Sequence, residues 1–150
     1  KFIYISTDFV YESHKNPVFY KEVYLAWPRQ MADEESRVKP SNNYGWSKLG
    51  GECVTKLISN SLILRCSLCD IPFRHKFAFD DVYRNSITHK DVADIILKVK
   101  DEVGIINVGG EHRSVYEFVS QYQKVDAISG LKITPSLCLN TEKLKKLLNE

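Results

Sequence analysis

The sequence predicts an α/β protein in which helices cover a parallel sheet. Three observations carry that prediction. "FIYIS", "SLILRCS" and "GIINVGG" are near-continuous apolar runs, the mark of strands buried on both faces. Stretches of helical periodicity lie between them, from Tyr44 onward and again in "DVADIILKVK". Turn signals, not repeats or low-complexity tracts, separate the elements. Strands alternating with helices in this way pair in parallel through crossovers.

The first strand occupies the opening residues and ends at the hydroxyls of Ser6 and Thr7. The stretch after it is broken by Pro17, Pro28 and Pro40 and is too long for a simple strand-to-helix connection, so it reads as a functional loop with a short helix near Gln30 to Ser36. Asn42 or Asn43 caps a helix from Tyr44 to about Ser59, with Leu49, Cys53, Leu57 and Ile58 as its apolar positions. "SLILRCS" is the second strand, and the irregular stretch "LCDIPFRHKFAFDDVYRN" follows it. Lys90 or Asp91 starts a helix that is apolar at Val92, Ile95, Ile96 and Val99. "GIINVGG" is the third strand, Ser114 caps "VYEFVSQYQ", and Thr141 caps a terminal helix with one apolar stripe.

Composition narrows the function classes. The 150 residues carry a formal net charge of +2, with the basic residues scattered, which gives no field for nucleic acid or an anionic membrane. No apolar run reaches the length of a bilayer span. Four cysteines are too sparse for a disulfide framework in a chain that can bury its own core, so reduced thiols and a cytoplasmic location are expected. Cys66 and Cys69 have C-x-x-C spacing, but one such pair supplies half a tetrahedral site and no matching His/Cys group follows; no metal is expected. His14, His75, His89 and His112 share no ligand spacing, and His89 is expected at a helix start.

Two tyrosines stand four residues before a lysine: Tyr11 before Lys15, and Tyr44 before Lys48. Asn16-Pro17 after Lys15 disfavours a helix there, so the first spacing is read as chance. Tyr44 and Lys48 fall in the first turns of a capped helix, where residues four apart share a face at about 6 Å between Cβ atoms. An ammonium held near a phenol favours the phenolate and makes proton transfer accessible. Ligands of parallel α/β sheets bind beyond the carboxyl ends of strands, where Ser6 and Thr7 lie, so the three residue types can form one Thr/Tyr/Lys site.

"YISTDFVY", "NNYGWSKLGGE", "LILRCS", "YRNSITHKDVADII" and "GIINVGG" resemble, in order and spacing, consecutive blocks of the extended short-chain dehydrogenase/reductase family, most closely its dTDP-4-dehydrorhamnose reductase branch. The resemblance covers nearly the whole chain except the long loop. It implies a Rossmann-like fold, with residues 1–68 as the later part of the nucleotide-binding sheet carrying the catalytic residues and 69–150 as a small α/β substrate-binding portion. Thr7 matches the hydroxyl that holds the substrate carbonyl, with Ser6 beside it. Tyr44 matches the proton donor, and Lys48 the lysine that binds the nicotinamide ribose and favours the phenolate. Arg65, Cys66 and Ser67 match a segment lying along the nicotinamide. Asp8, Phe9, Leu68, Arg84 and Asn85 fall where the substrate approaches. NADPH or NADH as cofactor, a nucleotide-sugar substrate and a homodimer are what the resemblance implies.

The chain departs from that pattern in three places. The family's G-x-x-G-x-x-G turn is absent, since "GWSKLGG" lies inside the tyrosine helix; with no lead-in before the first buried strand, the chain is expected to be the later part of a longer one and to turn over nothing alone. Phe9 and Leu68 stand where the branch has a tyrosine and a tryptophan. The connection from Thr7 to Tyr44 is about a dozen residues longer than the family's. These departures keep two alternatives in view: a non-catalytic subunit that binds sugar nucleotides, and an epimerase or dehydratase of the same fold.

Overall fold

A computed structural model of the chain describes residues 1–12, 31–129 and 138–149. The expected Tyr11/Lys15 comparison cannot be drawn there, because Lys15 lies outside the described residues.

The main sheet has three parallel strands in the order β1 (Phe2–Thr7), β2 (Ser61–Cys66), β5 (Gly104–Val108). Phe2 pairs with Ser61 and Thr7 with Cys66; Leu62 pairs with Gly104 and Cys66 with Val108. All three strands therefore end together, at Thr7, Cys66 and Val108. β2 is central and buried at every residue, which is why "SLILRC" carries so little alternation. Between these strands run α1 (Asn43–Thr55) and α2 (His89–Val99). Leu62, Leu64, Cys66, Ile106 and Val108 pack with Val92 and Val99 of α2 in one core. The same core takes Leu144 from α4 (Glu142–Leu148), so the sheet and its cover draw on both sides of residue 68.

Smaller elements complete the chain. β3 (Phe77–Phe79) pairs in parallel with β7 (Asp126–Ile128), and β4 (Tyr83–Arg84) pairs antiparallel with β6 (Arg113–Ser114), which leads into α3 (Val115–Val119). The stretch expected to be irregular thus contains two short strands. Asn85 and Gln123 act as amide clamps: Asn85 donates to the Leu139 carbonyl at 2.9 Å and accepts from the Leu139 N–H at 3.1 Å. Gln123 does the same to Phe73, at 3.0 and 2.7 Å.

Caps explain the helix starts. Asn42 is the cap of α1, its Oδ1 accepting from Gly45 N at 2.8 Å. Thr88 caps α2, which begins at His89, a residue or two before the expected Lys90 or Asp91. Ser114 and Glu117 form a capping box on α3.

Four expectations need correction. Residues 31–36 form no helix. Ala32 makes a bridge to Leu139, and the side chains of Asp33 and Ser36 bond to local backbone N–H groups and to each other, which competes with helix formation. The tyrosine helix stops at Thr55 rather than Ser59, and single turns carry the chain on to Asn60. Thr141 makes no side-chain cap on α4; Asn140 Oδ1 accepts from Glu142 N instead, at 2.9 Å. Finally, the expected apolar positions Cys53, Leu57 and Ile58 are exposed, the last two beyond the end of α1. Leu57 is 85% exposed, and the buried residues of α1 are Gly45, Glu52 and Thr55.

The reason lies on the sheet. Ser6, Arg65 and Asn107 stand in register across β1, β2 and β5, forming a polar row. Glu52 reaches down to it, accepting from Ser6 Oγ at 2.6 Å and from Arg65 at 3.0 and 2.7 Å. The Tyr11 hydroxyl accepts from Arg65 and donates to Asn107 Oδ1, both at 2.8 Å. A buried charge needs such partners, and they occupy the face that a hydrophobic stripe would otherwise cover.

Candidate active site

Beyond the carboxyl ends of β1 and β2 opens a cavity of about 410 Å³, within the size range of small-molecule sites. Thr7 comes to it from the last position of β1, and Tyr44 from the first turn of α1. Close approach makes this possible. Gly45 sits where an added Cβ would stand 2.4 Å from the Phe9 carbonyl oxygen and 2.8 Å from Pro40 Cβ, so the helix start lies hard against the 3-10 turn Asp8–Val10. Thr7 caps that turn, its Oγ1 accepting from Phe9 N at 3.3 Å and donating to Asp8 Oδ1 at 3.1 Å. Tyr44 is half-exposed and meets the Phe9 ring edge-to-face at 6.1 Å.

Of the residues read from the sequence, Ser6, Thr7, Asp8, Phe9, Tyr44, Cys66, Leu68 and Arg84 line this cavity. Lys48, Arg65, Ser67 and Asn85 do not. Lys48 lies one turn beyond Tyr44 and donates from Nζ to the Ile5 carbonyl at 3.0 Å. Arg65 spends its side chain on Glu52 and Tyr11, which leaves only its backbone for the strand end. Asn85 holds Leu139, as described above. Ser67 is sealed from solvent, and its Oγ has no partner among the described residues.

Asp8 and Arg84, both read as substrate-facing, are paired with each other. Asp8 is buried, Arg84 is partly open, and the guanidinium lies 4.8 Å from the Phe9 ring centroid. Phe9 is thus held between Tyr44 and Arg84. The sequence reading missed the far wall: Phe73, Arg74 and His75 line the cavity, with the Phe73 and His75 rings at 5.3 Å. His89 also lines it, from the first residue of α2.

Burial pushes the Cys66 thiol up to about 12, with Asp8 adding to the rise and Lys48 opposing it. The Cys69 thiol is also raised, mainly by burial. Burial thus disfavours the thiolate at both. No group of three or more possible metal-ligating residues occurs among the described residues. No helix there is long and apolar enough to cross a membrane.

The residues present fit one end of a nicotinamide cofactor. The cavity opens at the strand ends between Thr7, Tyr44, Cys66 and Leu68, with the Thr7 hydroxyl and the Tyr44 phenol among its lining groups. They do not fit the pyrophosphate end: Gly50 and Gly51 lie within α1, and the described residues show no glycine-rich strand-to-helix turn.

No family model matches the chain, and no curated protein matches it. Solved structures do. Over 99% of its length the chain is similar to dTDP-4-dehydrorhamnose reductase from Bacillus anthracis in complex with NADP, at 21% identity and TM-score 0.72, covering 59% of that chain. It is similar over 96% of its length to a hypothetical dTDP-4-dehydrorhamnose reductase from Sulfolobus tokodaii, at 23% identity and TM-score 0.66, covering 57% of that chain. A dTDP-glucose 4,6-dehydratase from Bacillus anthracis in complex with NAD matches all of the chain at 19% identity and TM-score 0.70, with 56% of that chain covered. The chain therefore spans less than two thirds of each of these proteins. At such identities the likeness establishes the fold, an α/β, Rossmann-like parallel sheet with helices.

Proposed function

We propose that the chain carries the substrate-holding and proton-donating side of an NAD(P)H-dependent reductase acting on a nucleotide-linked 4-keto-6-deoxy sugar. The observation that carries this reading is the meeting of Thr7 and Tyr44 on one cavity at the strand ends, with Lys48 one turn further along the same helix. The dTDP-4-dehydrorhamnose reductase structures matched above share the fold and support the substrate class.

A bound nicotinamide supplies the hydride that reduces the keto carbon. Thr7 turns its hydroxyl from Asp8 to the keto oxygen and polarises it, while its Oγ1 still accepts from Phe9 N. Tyr44 gives its phenolic proton to that oxygen as the carbonyl becomes a hydroxyl, with the Lys48 ammonium serving it from one turn along α1. Arg84 is held against the Phe9 ring by Asp8 and presents its open side to the cavity, where an anionic diphosphate fits. Cys66 and Leu68 exclude water from the strand ends.

The test is NADPH oxidation by the full-length protein with a 4-keto sugar nucleotide, beside Tyr44→Phe. The wild type oxidises NADPH, and the variant loses about 10²- to 10⁴-fold in kcat. Equal inertness of both, with the sugar nucleotide still bound, would leave a binding subunit and overturn the reductase reading.

A further inference from the structure

One aromatic side chain beside the site takes no part in the chemistry above. Tyr4 lies on β1, on the face that meets α1, and three contacts tie it to the turn that carries Lys48. Its hydroxyl donates to the Lys48 carbonyl at 3.3 Å. Its ring lies beneath the Lys48 ammonium, Nζ standing 5.4 Å from the centroid. Its phenol fills a notch at Gly51, where an added Cβ would stand 2.1 Å from the hydroxyl oxygen and 2.4 Å from Cζ. Glycine at position 51 therefore answers to Tyr4: no other residue lets the ring come so close.

The ammonium needs this arrangement. A lysine side chain has four flexible bonds and loses much rotamer freedom when fixed, and among the described residues its ammonium donates one hydrogen bond, to the Ile5 carbonyl. One acceptor fixes a distance but not a direction. The ring face supplies the second constraint, because a cation within about 6 Å of an aromatic centroid is drawn to the ring's negative face. We propose that Tyr4 is the positioning residue of Lys48: its ring sets where the ammonium stands, and its hydroxyl holds the Tyr44/Lys48 turn of α1 against β1. The proposal rests on the reading of Lys48 as the ammonium that serves Tyr44. Burial, with Glu52 and Tyr44 adding to it, raises the pKa of the Tyr4 phenol, so it remains a donor to the helix carbonyl.

The experiment measures how fast Lys48 is acetylated by trace acetic anhydride. Peptide mass mapping of the full-length protein reads the rate, and Lys90 on α2 serves as the internal reference. Tyr4→Phe keeps the ring and stays within about 2-fold of wild type, whereas Tyr4→Leu raises Lys48 labelling relative to Lys90 by about 3- to 10-fold. Gly51→Ala, which drives the ring out of its notch and leaves Tyr4 in the chain, gives a rise of the same direction and keeps the test open if Tyr4→Leu does not fold. Unchanged Lys48 labelling in the folded variants, or Lys48 and Lys90 rising together, would overturn the assignment. The readout needs no turnover, so an inert wild type refutes the reductase reading and leaves the positioning of Lys48 to be judged by the labelling ratio.

Discussion

Glu52 on α1 and Arg65 on β2 share two hydrogen bonds, Nε to Oε1 at 3.0 Å and Nη2 to Oε2 at 2.7 Å, with both side chains shut off from solvent. The pair joins the helix that bears Tyr44 to the centre of the sheet. Removing one member leaves the other charge buried and unpaired, so Glu52→Ala lowers unfolding free energy by about 3–5 kcal/mol. The double variant Glu52→Leu/Arg65→Met recovers much of that loss, because no charge is then stranded. Urea denaturation midpoints of the three proteins check the order.

Two glycines of the same helix respond oppositely to alanine. At Gly45 the added methyl collides with the Phe9 carbonyl and with Pro40, and Gly45→Ala destabilises by about 1–3 kcal/mol. At Gly50 nothing lies within 4 Å, and Gly50→Ala stabilises by about 0.5–1 kcal/mol through helix propensity. Thermal melts of the pair decide it, and a loss at position 50 would contradict the open space there.

The role proposed for the Thr7 hydroxyl in turnover is separable from its part in the 3-10 turn. Thr7→Val removes the donor and lowers kcat by about 10²-fold, while Thr7→Ser keeps both the donor and the cap on the 3-10 turn. Steady-state kinetics of the full-length protein give the comparison, and equal loss in both variants would move the effect from the hydroxyl to packing.

Alkali weakens the fold. Burial pushes the Cys66 and Cys138 thiols from 9.0 up to about 12, with Asp8 adding at both, and pushes the Tyr11 phenol from 10.0 up to about 12 against the opposing pull of Arg65. Above the unfolded values the unfolded chain gives up protons that the folded chain keeps, so it binds fewer protons and stability falls as pH rises. This contribution is fully present below pH 9.0, declines from there as the cysteines ionise, and declines further above 10.0 as Tyr11 joins them. Urea midpoints measured from neutral pH upward follow that course, and Cys138→Ala makes the decline shallower.

The main sheet was legible because its strands are apolar runs long enough to resolve, and α1 and α2 because polar caps mark their starts. β3, β4, β6 and β7 have two or three residues each, too few to show a period. The inward face of α1 was misread for a physical reason: hydrophobic patterning assumes an apolar interior, and here a buried ion pair takes that place while Val54 and Leu57 face out, at 65% and 85% exposure. Thr7 and Tyr44 could be placed from a strand end and a cap. The pairing of Asp8 with Arg84 could not, since 76 residues separate them and neither is marked by local sequence. The direction taken by Lys48 also depends on tertiary contacts, with the Ile5 carbonyl and the Tyr4 ring.

The amide clamp of Gln123 on Phe73 touches only backbone, the N–H at 2.7 Å and the carbonyl at 3.0 Å. It holds residue 73 without reading its side chain, so this part of the cavity wall has a backbone anchor that is independent of the ring it carries. Exchanging that one side chain alters the cavity wall together with its packing on the Ala78, Phe118 and Val119 cluster, while the backbone stays fastened by an interaction the exchange does not touch.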